Sequence, residues 1–177
     1  MKRLLLFWLI LLFLPACSHD KYRVAVIPDY SFSKGSKIAI IPSSGDPAEG
    51  IIADGIAQFF MRYRIFDVVE RRHLIAIVQE QGLRMSGATE TDFIKAGKFL
   101  NVQYLLFGSV MRAGINEGII GASYRIVEIE SGRVVANAAY TWDDDNPGGT
   151  PGAGKIAEKI GVELCQAITG DKIPLEK

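Results

Sequence analysis

The residues best placed for chemistry include one glycine-rich stretch, Gly149-Thr150-Pro151-Gly152-Ala153-Gly154-Lys155-Ile156. Its spacing nearly repeats the phosphate loop G-x-x-x-x-G-K-[ST], where backbone amides cradle phosphates and a hydroxyl holds magnesium. Ile156 stands where the hydroxyl belongs, and the acidic run before the stretch repels phosphate. It is read as a linker that caps the last helix. Asp143-Asp144-Asp145-Asn146 offers oxygen ligands but lacks the glycine and terminal glutamate spacing of a calcium loop. A solvated turn is expected there. The 2 histidines, His19 and His73, stand in no HExxH or Cys/His cluster, so no hydrolytic triad or metal set is expected. Glu70 and Arg71 read as a helix start with a structural ion pair. Cys165, on the apolar stripe of the last helix, reads as a small buried hydrophobe. The expectation is a protein without catalytic residues, metal or cofactor, and not an enzyme.

Cys17 is different. Met1-Lys2-Arg3 leads into an apolar run from Leu4 to Leu14, which ends in Leu14-Pro15-Ala16-Cys17. A helix needs about 20 apolar residues to span a bilayer, so the shorter run reads as an export signal. A cysteine at its end resembles the bacterial lipobox, where that residue is acylated with palmitate-type chains and becomes the new N-terminus. The expected organisation is a signal peptide over 1–16, a lipid anchor and short tether over 17–36, and a domain over 37–177. Ser18 after the cysteine, rather than aspartate, resembles the enteric-type lipoproteins sent on to the outer membrane, and the domain is expected to face the periplasm. Fully extended, residues 18–36 reach roughly 65 Å at about 3.3–3.6 Å each. Val24-Ala25-Val26-Ile27 reads as a stray edge strand within the tether. The 20 basic and 20 acidic residues balance, and loss of Lys2 and Arg3 tips the mature chain slightly acidic. A nucleic-acid binder shows a basic excess, so that partner is not expected. With Cys17 acylated, Cys165 has no disulfide partner, and the core alone must hold the fold.

From Lys37 the patterning is regular. Lys37–Pro42 is a buried strand. Asp46-Pro47-Ala48-Glu49 starts a helix with a capping carboxylate and proline at the first helical position, and Ile52, Ile56, Phe60 and Tyr63 form its apolar face. Residues 65–69 read as a strand, and a helix runs from about Arg71 to Gly82. Thr91 is read as the cap of a third helix. Three strands follow, over 103–111, 119–130 and 133–142, with a turn at Ser131-Gly132. Val134, Ala136, Ala138, Tyr140 and Trp142 are expected on one face of the last strand. A final helix carries Ile156, Ile160, Leu164 and Ile168. The order βαβααβββα predicts an α/β domain of α+β type, a single layered unit whose mixed sheet of about five strands is flanked by helices.

Several segments carry a resemblance in their order and spacing. They are Val68-Val69-Glu70-Arg71 with Leu74, Ile77 and Gly82, then Ala96-Gly97-Lys98-Phe99-Leu100, Tyr104 to Val110, and Tyr124 to Val135. Asp29-Tyr30-Ser31-Phe32 resembles the lead-in of some members. Together they resemble the CsgG/LpoB-like periplasmic lipoproteins, a family that includes curli-secretion pores, LpoB-type activators of peptidoglycan synthases and PelC-type rings. The resemblance implies a binding protein rather than an enzyme. Pore-forming members carry extra barrel hairpins, whose spanning strands need about 9–11 residues each. The three strands between Leu100 and Asp143 are all required by the domain's own sheet, so a pore is not expected.

Trp142 ends a strand beside Asp143, Asp144 and Asp145. It reads either as a core-edge residue or as a contact with membrane or protein partner. Two functions follow from the resemblance. One is a lipid-anchored accessory of envelope assembly or export that oligomerises. The other is a monomeric activator of an envelope enzyme such as a peptidoglycan synthase. The partners expected are the membrane, through the N-terminal lipid, envelope or export proteins, and further copies of the chain.

Overall fold

In the structure, a computed structural model, residues 21–42, 46–80, 89–112, 118–142 and 152–173 are described. Among these residues six strands form one sheet: β1 (Lys21–Val26), β2 (Lys37–Pro42), β3 (Asp67–Val69), β4 (Tyr104–Arg112), β5 (Ile119–Glu128) and β6 (Val134–Thr141). Their spatial order is β1-β6-β5-β4-β2-β3. β2 runs parallel to β3 and β4, and the other pairs are antiparallel. The four helices are α1 (Pro47–Arg62), α2 (Arg71–Glu80), α3 (Glu90–Phe99) and α4 (Ala153–Thr169). The single mixed α/β domain expected from the pattern is present, with one strand more than the five counted.

That strand comes from the segment read as tether. Lys21-Tyr22-Arg23-Val24-Ala25-Val26 pairs along its whole length with β6. Its alternation is a period-2 signal: Tyr22, Val24 and Val26 face the core while Arg23 and Ala25 are exposed. Residues 27–36 then strap across the end of the sheet. The Tyr30 hydroxyl donates to Glu128 Oε1 at 2.5 Å and lies 3.1 Å from the Tyr104 hydroxyl. Phe32 packs its ring on Tyr30, Phe66 and Tyr104.

The two faces of the sheet are covered unequally. α1 and α4 bury Ile52, Ile56, Phe60, Ile156, Ile160 and Leu164 against one face. They cross closely: a Cβ on Gly55 would lie 2.5 Å from Ala157 Cβ, and one on Gly161 would lie 2.5 Å from the Phe59 ring. On the other face α2 and α3 bring Leu74, Val78, Phe93 and Ala96 onto Ala39, Ile41, Leu105, Phe107 and Val127. That second layer covers β2 and β4 and stops near β5. There Arg125 pairs with Glu90 at 2.7 Å and lies over the Phe107 ring.

Local details differ from the sequence reading for physical reasons. Thr89, not Thr91, caps α3, because Thr89 and Asp92 form a reciprocal capping box. β3 is shorter than 65–69, because Ile65 and Phe66 are buried in a turn that follows Arg64, whose φ is 51°. A bulge between Ile126 and Val127 inserts Val135, so Val134 faces outward at 43% exposure while Ala136, Ala138 and Tyr140 keep the core face.

Candidate functional site

The β1–β6 register defines one pole of the molecule. Lys21 pairs with Thr141, so the chain enters the sheet beside the residue before Trp142. The Trp142 amide donates to the Ile120 carbonyl at 2.9 Å. Its ring packs half-buried on the larger core, and its buried Nε1 has no hydrogen-bond partner among the described residues. The same pole carries the starts of both large helices. Gly152 is the N-cap of α4, as expected of a capping linker, and Ile156 is fully buried. Asp46 caps α1 through Oδ1, which accepts from the Ala48 amide at 2.8 Å. Arg112, at the end of β4, reaches the same carboxylate. This donor set holds the Asp46 carboxyl at about 2, below its ordinary 3.8.

The opposite pole holds the strap. Glu128 accepts from Tyr30 and from Ser131 Oγ, and these donors hold its carboxyl below the usual range. Since Tyr30 gives its proton to Glu128, Tyr104 donates to Tyr30. Burial and these partners push the Tyr30 phenol well up. A cleft of about 400 Å³ beside them is lined by Ser33, Ser36, Lys98, Gln103 and Glu130. Its polar groups are mostly engaged locally: Gln103 accepts from the Lys37 amide and donates to the Asn101 carbonyl, and Ser36 donates to the Ser33 carbonyl.

The remaining sequence candidates are scattered. His73 is exposed at the start of α2, its amide on the Glu70 carbonyl. Arg72 makes an ion pair with Glu70 in solvent, and the side chain of Arg71, the partner expected from the sequence, lies outside what is described. Cys165 is fully buried, and burial pushes its thiol up to about 12. Cys17, His19, Asp143, Asp144, Asp145 and the start of the glycine-rich stretch lie outside the described residues. Among the described residues no three metal-ligating side chains converge, and no helix is long and apolar enough to cross a membrane. The feature that sequence reasoning missed is the half-face of the sheet over β1, β6 and β5, which no helix covers among the described residues. The alternation of Arg23 and Ala25 with Tyr22 and Val24 signals the strand, while the open face beside it is set by where the helices dock.

A single layered α/β domain, with its chain entry and Trp142 gathered at one pole, is the class that this geometry defines. The chain belongs to the family of the curli production assembly/transport component CsgG, whose profile matches residues 14–140. A comparison with curated proteins gives no match. Among solved structures it is similar to a PelC dodecamer from Paraburkholderia phytofirmans, with a TM-score of 0.51 at 14% identity, covering 86% of this chain and 99% of that one. It is also similar to the LpoB C-terminal domain from Salmonella enterica, with a TM-score of 0.50 at 14% identity, covering 66% and 87%. TolB from Acinetobacter baumannii matches with a TM-score of 0.50 at 13% identity, and there the likeness covers 85% of this chain but 31% of TolB.

Proposed function

We propose that this protein is a lipid-anchored accessory of envelope export, held at the outer membrane through Cys17, facing the periplasm and acting as an assembly of several copies. Family membership supports an envelope role, and the likeness to the subunit of a PelC dodecamer supports self-association. The observation that carries the reading is the pairing of Lys21 with Thr141. Only residues 18–20 separate Cys17 from the sheet, so an acylated Cys17 reaches at most about 14 Å from Lys21. The domain is then held at the membrane with the Trp142 pole turned toward it. Trp142 and the acidic run Asp143-Asp144-Asp145 form the contact region of that pole. Export of a secreted protein or a polysaccharide is the process served, and no catalytic step is assigned.

Trp142 provides the test. The chain has 2 tryptophans, and the other, Trp8, leaves with the signal peptide. Lipidated protein reconstituted into vesicles with brominated acyl chains should show quenched Trp142 emission. Emission unchanged by bromination would reject this orientation. The likeness to the LpoB C-terminal domain favours a second reading, a monomeric activator of a peptidoglycan synthase. Light scattering on the detergent-extracted protein separates the two, since a large discrete mass supports the first and a single-copy mass the second.

A further inference from the structure

We infer that the half-face of the sheet left open among the described residues receives helix α1 of a second copy of this chain, in a head-to-tail contact. This deepens the self-association proposed above and rests on it. The half-face is built from Arg23 and Ala25 on β1, Asn137, Ala139 and Thr141 on β6, Gly121 and Ser123 on β5, and Ser109 and Met111 on β4. Its residues are mostly short, so a helix can approach closely. Met111 stands at its margin at 64% exposure. Arg23 is exposed there, and no carboxylate lies among those residues.

The complementary surface lies on the far side of the same molecule. α1 turns Ile52, Ile56 and Phe60 inward and leaves a strip of Ile51, Asp54, Gln58 and Met61 in solvent. Ile51 and Met61 are 55% and 53% exposed, unusual for large apolar side chains in a helix whose other face is fully packed. Asp54 lies between them and supplies the charge opposite to Arg23. Three strands about 4.8 Å apart and about six residues long give a face of roughly 14 by 20 Å, which matches three turns of helix. A face of that size buries on the order of 600 Å² over both partners, below the usual range for one specific contact, so the assembly depends on each copy making it twice. The strip and the half-face lie on opposite sides of the sheet, so the contact is heterologous. Each copy uses both surfaces, and a closed ring holds every member twice.

The test is the mass of the full, detergent-extracted protein by light scattering, with circular dichroism confirming the fold of each variant. Arg23→Glu and Asp54→Arg should each reduce the assembly to single copies, and the double variant should restore the wild-type mass. Ala139→Trp places a bulky ring on the half-face without touching the core and should also dissociate it. Wild-type mass in all three single variants would overturn this interface and leave the self-association reading standing. A double variant that stays dissociated would overturn the Arg23–Asp54 pairing and the proposal with it. Single copies in the wild type would overturn both the interface and the self-association.

Discussion

Arg112 holds Asp46 with two hydrogen bonds, Nε to Oδ2 at 2.6 Å and Nη2 to Oδ1 at 3.0 Å. The carboxylate that caps α1 is therefore also the anchor for the end of β4, joining segments that leave the Trp142 pole. Protonation breaks both roles at once. Asp46 is held at about 2 against an ordinary 3.8. A depressed folded-state value means its stabilisation is complete above pH 4 and is lost as the pH falls toward 2. Asp46→Asn should lower the thermal midpoint by a few degrees at pH 7, and the gap to wild type should close on acidification over that window. An undiminished gap at pH 2.5 would show that the carboxylate's charge is not what is lost.

The strap across the sheet end depends on Tyr30. Its hydroxyl donates to an ionised Glu128 and accepts from Tyr104. A hydrogen bond to a charged group contributes about 1.5–3 kcal/mol when shielded, and solvent access at Glu128 reduces this to about 1 kcal/mol. Tyr30→Phe keeps the ring packing on Phe32 and should cost that amount in urea unfolding. Amide exchange should quicken first over residues 27–36, with β4 and β5 unaffected. Uniform acceleration through the sheet would show that the strap does not open as its own unit.

Much of this architecture is legible in the sequence. Lys37–Pro42 was bounded by its proline, and the stripe Ile156, Ile160, Leu164 places α4 on the core. The capping box was also readable, since Thr89 has Asp92 three residues on whereas Thr91 has Ile94. Two things were not. The bulge at Val135 turns Val134 outward, and no local pattern announces an inserted residue. The uncovered half-face depends on where α2 and α3 dock across the sheet, which is a tertiary property. Of the candidate site, Trp142 was singled out by residue type. Its closeness to the chain entry follows only from the long-range pairing of β1 with β6.

Two glycines in α1 should respond in opposite senses to the same substitution. Gly50 has nothing within 4 Å of a built Cβ, so Gly50→Ala recovers helix propensity and should stabilise by up to about 1 kcal/mol. At Gly55 the same methyl meets Ala157 Cβ at 2.5 Å, an atom fixed to the α4 backbone. The helices must part, and overpacking costs about 1–3 kcal/mol, which outweighs the propensity gain. Denaturant melts of the two variants check the sign. A stabilised Gly55→Ala would mean that the α1–α4 crossing is looser than described.

The two cysteines make the anchor chemistry countable. Cys165 is fully buried on the inner face of α4, and its thiol is pushed up to about 12. The thiolate is the reactive form, so a native domain at pH 8 should give almost no reaction with a thiol reagent at this position. Unfolding removes the burial, returns the thiol toward its ordinary 9.0 and exposes it. The rate of labelling should then track global unfolding through denaturant. The chain has 2 cysteines, so the endpoint reports on Cys17. Protein extracted from membranes should titrate one thiol per chain in denaturant if Cys17 is acylated. A Cys17→Ser variant should also titrate one, but appear in the soluble fraction. Two thiols per chain from the wild type would remove the lipid anchor, and with it the membrane orientation argued from Lys21 and Thr141.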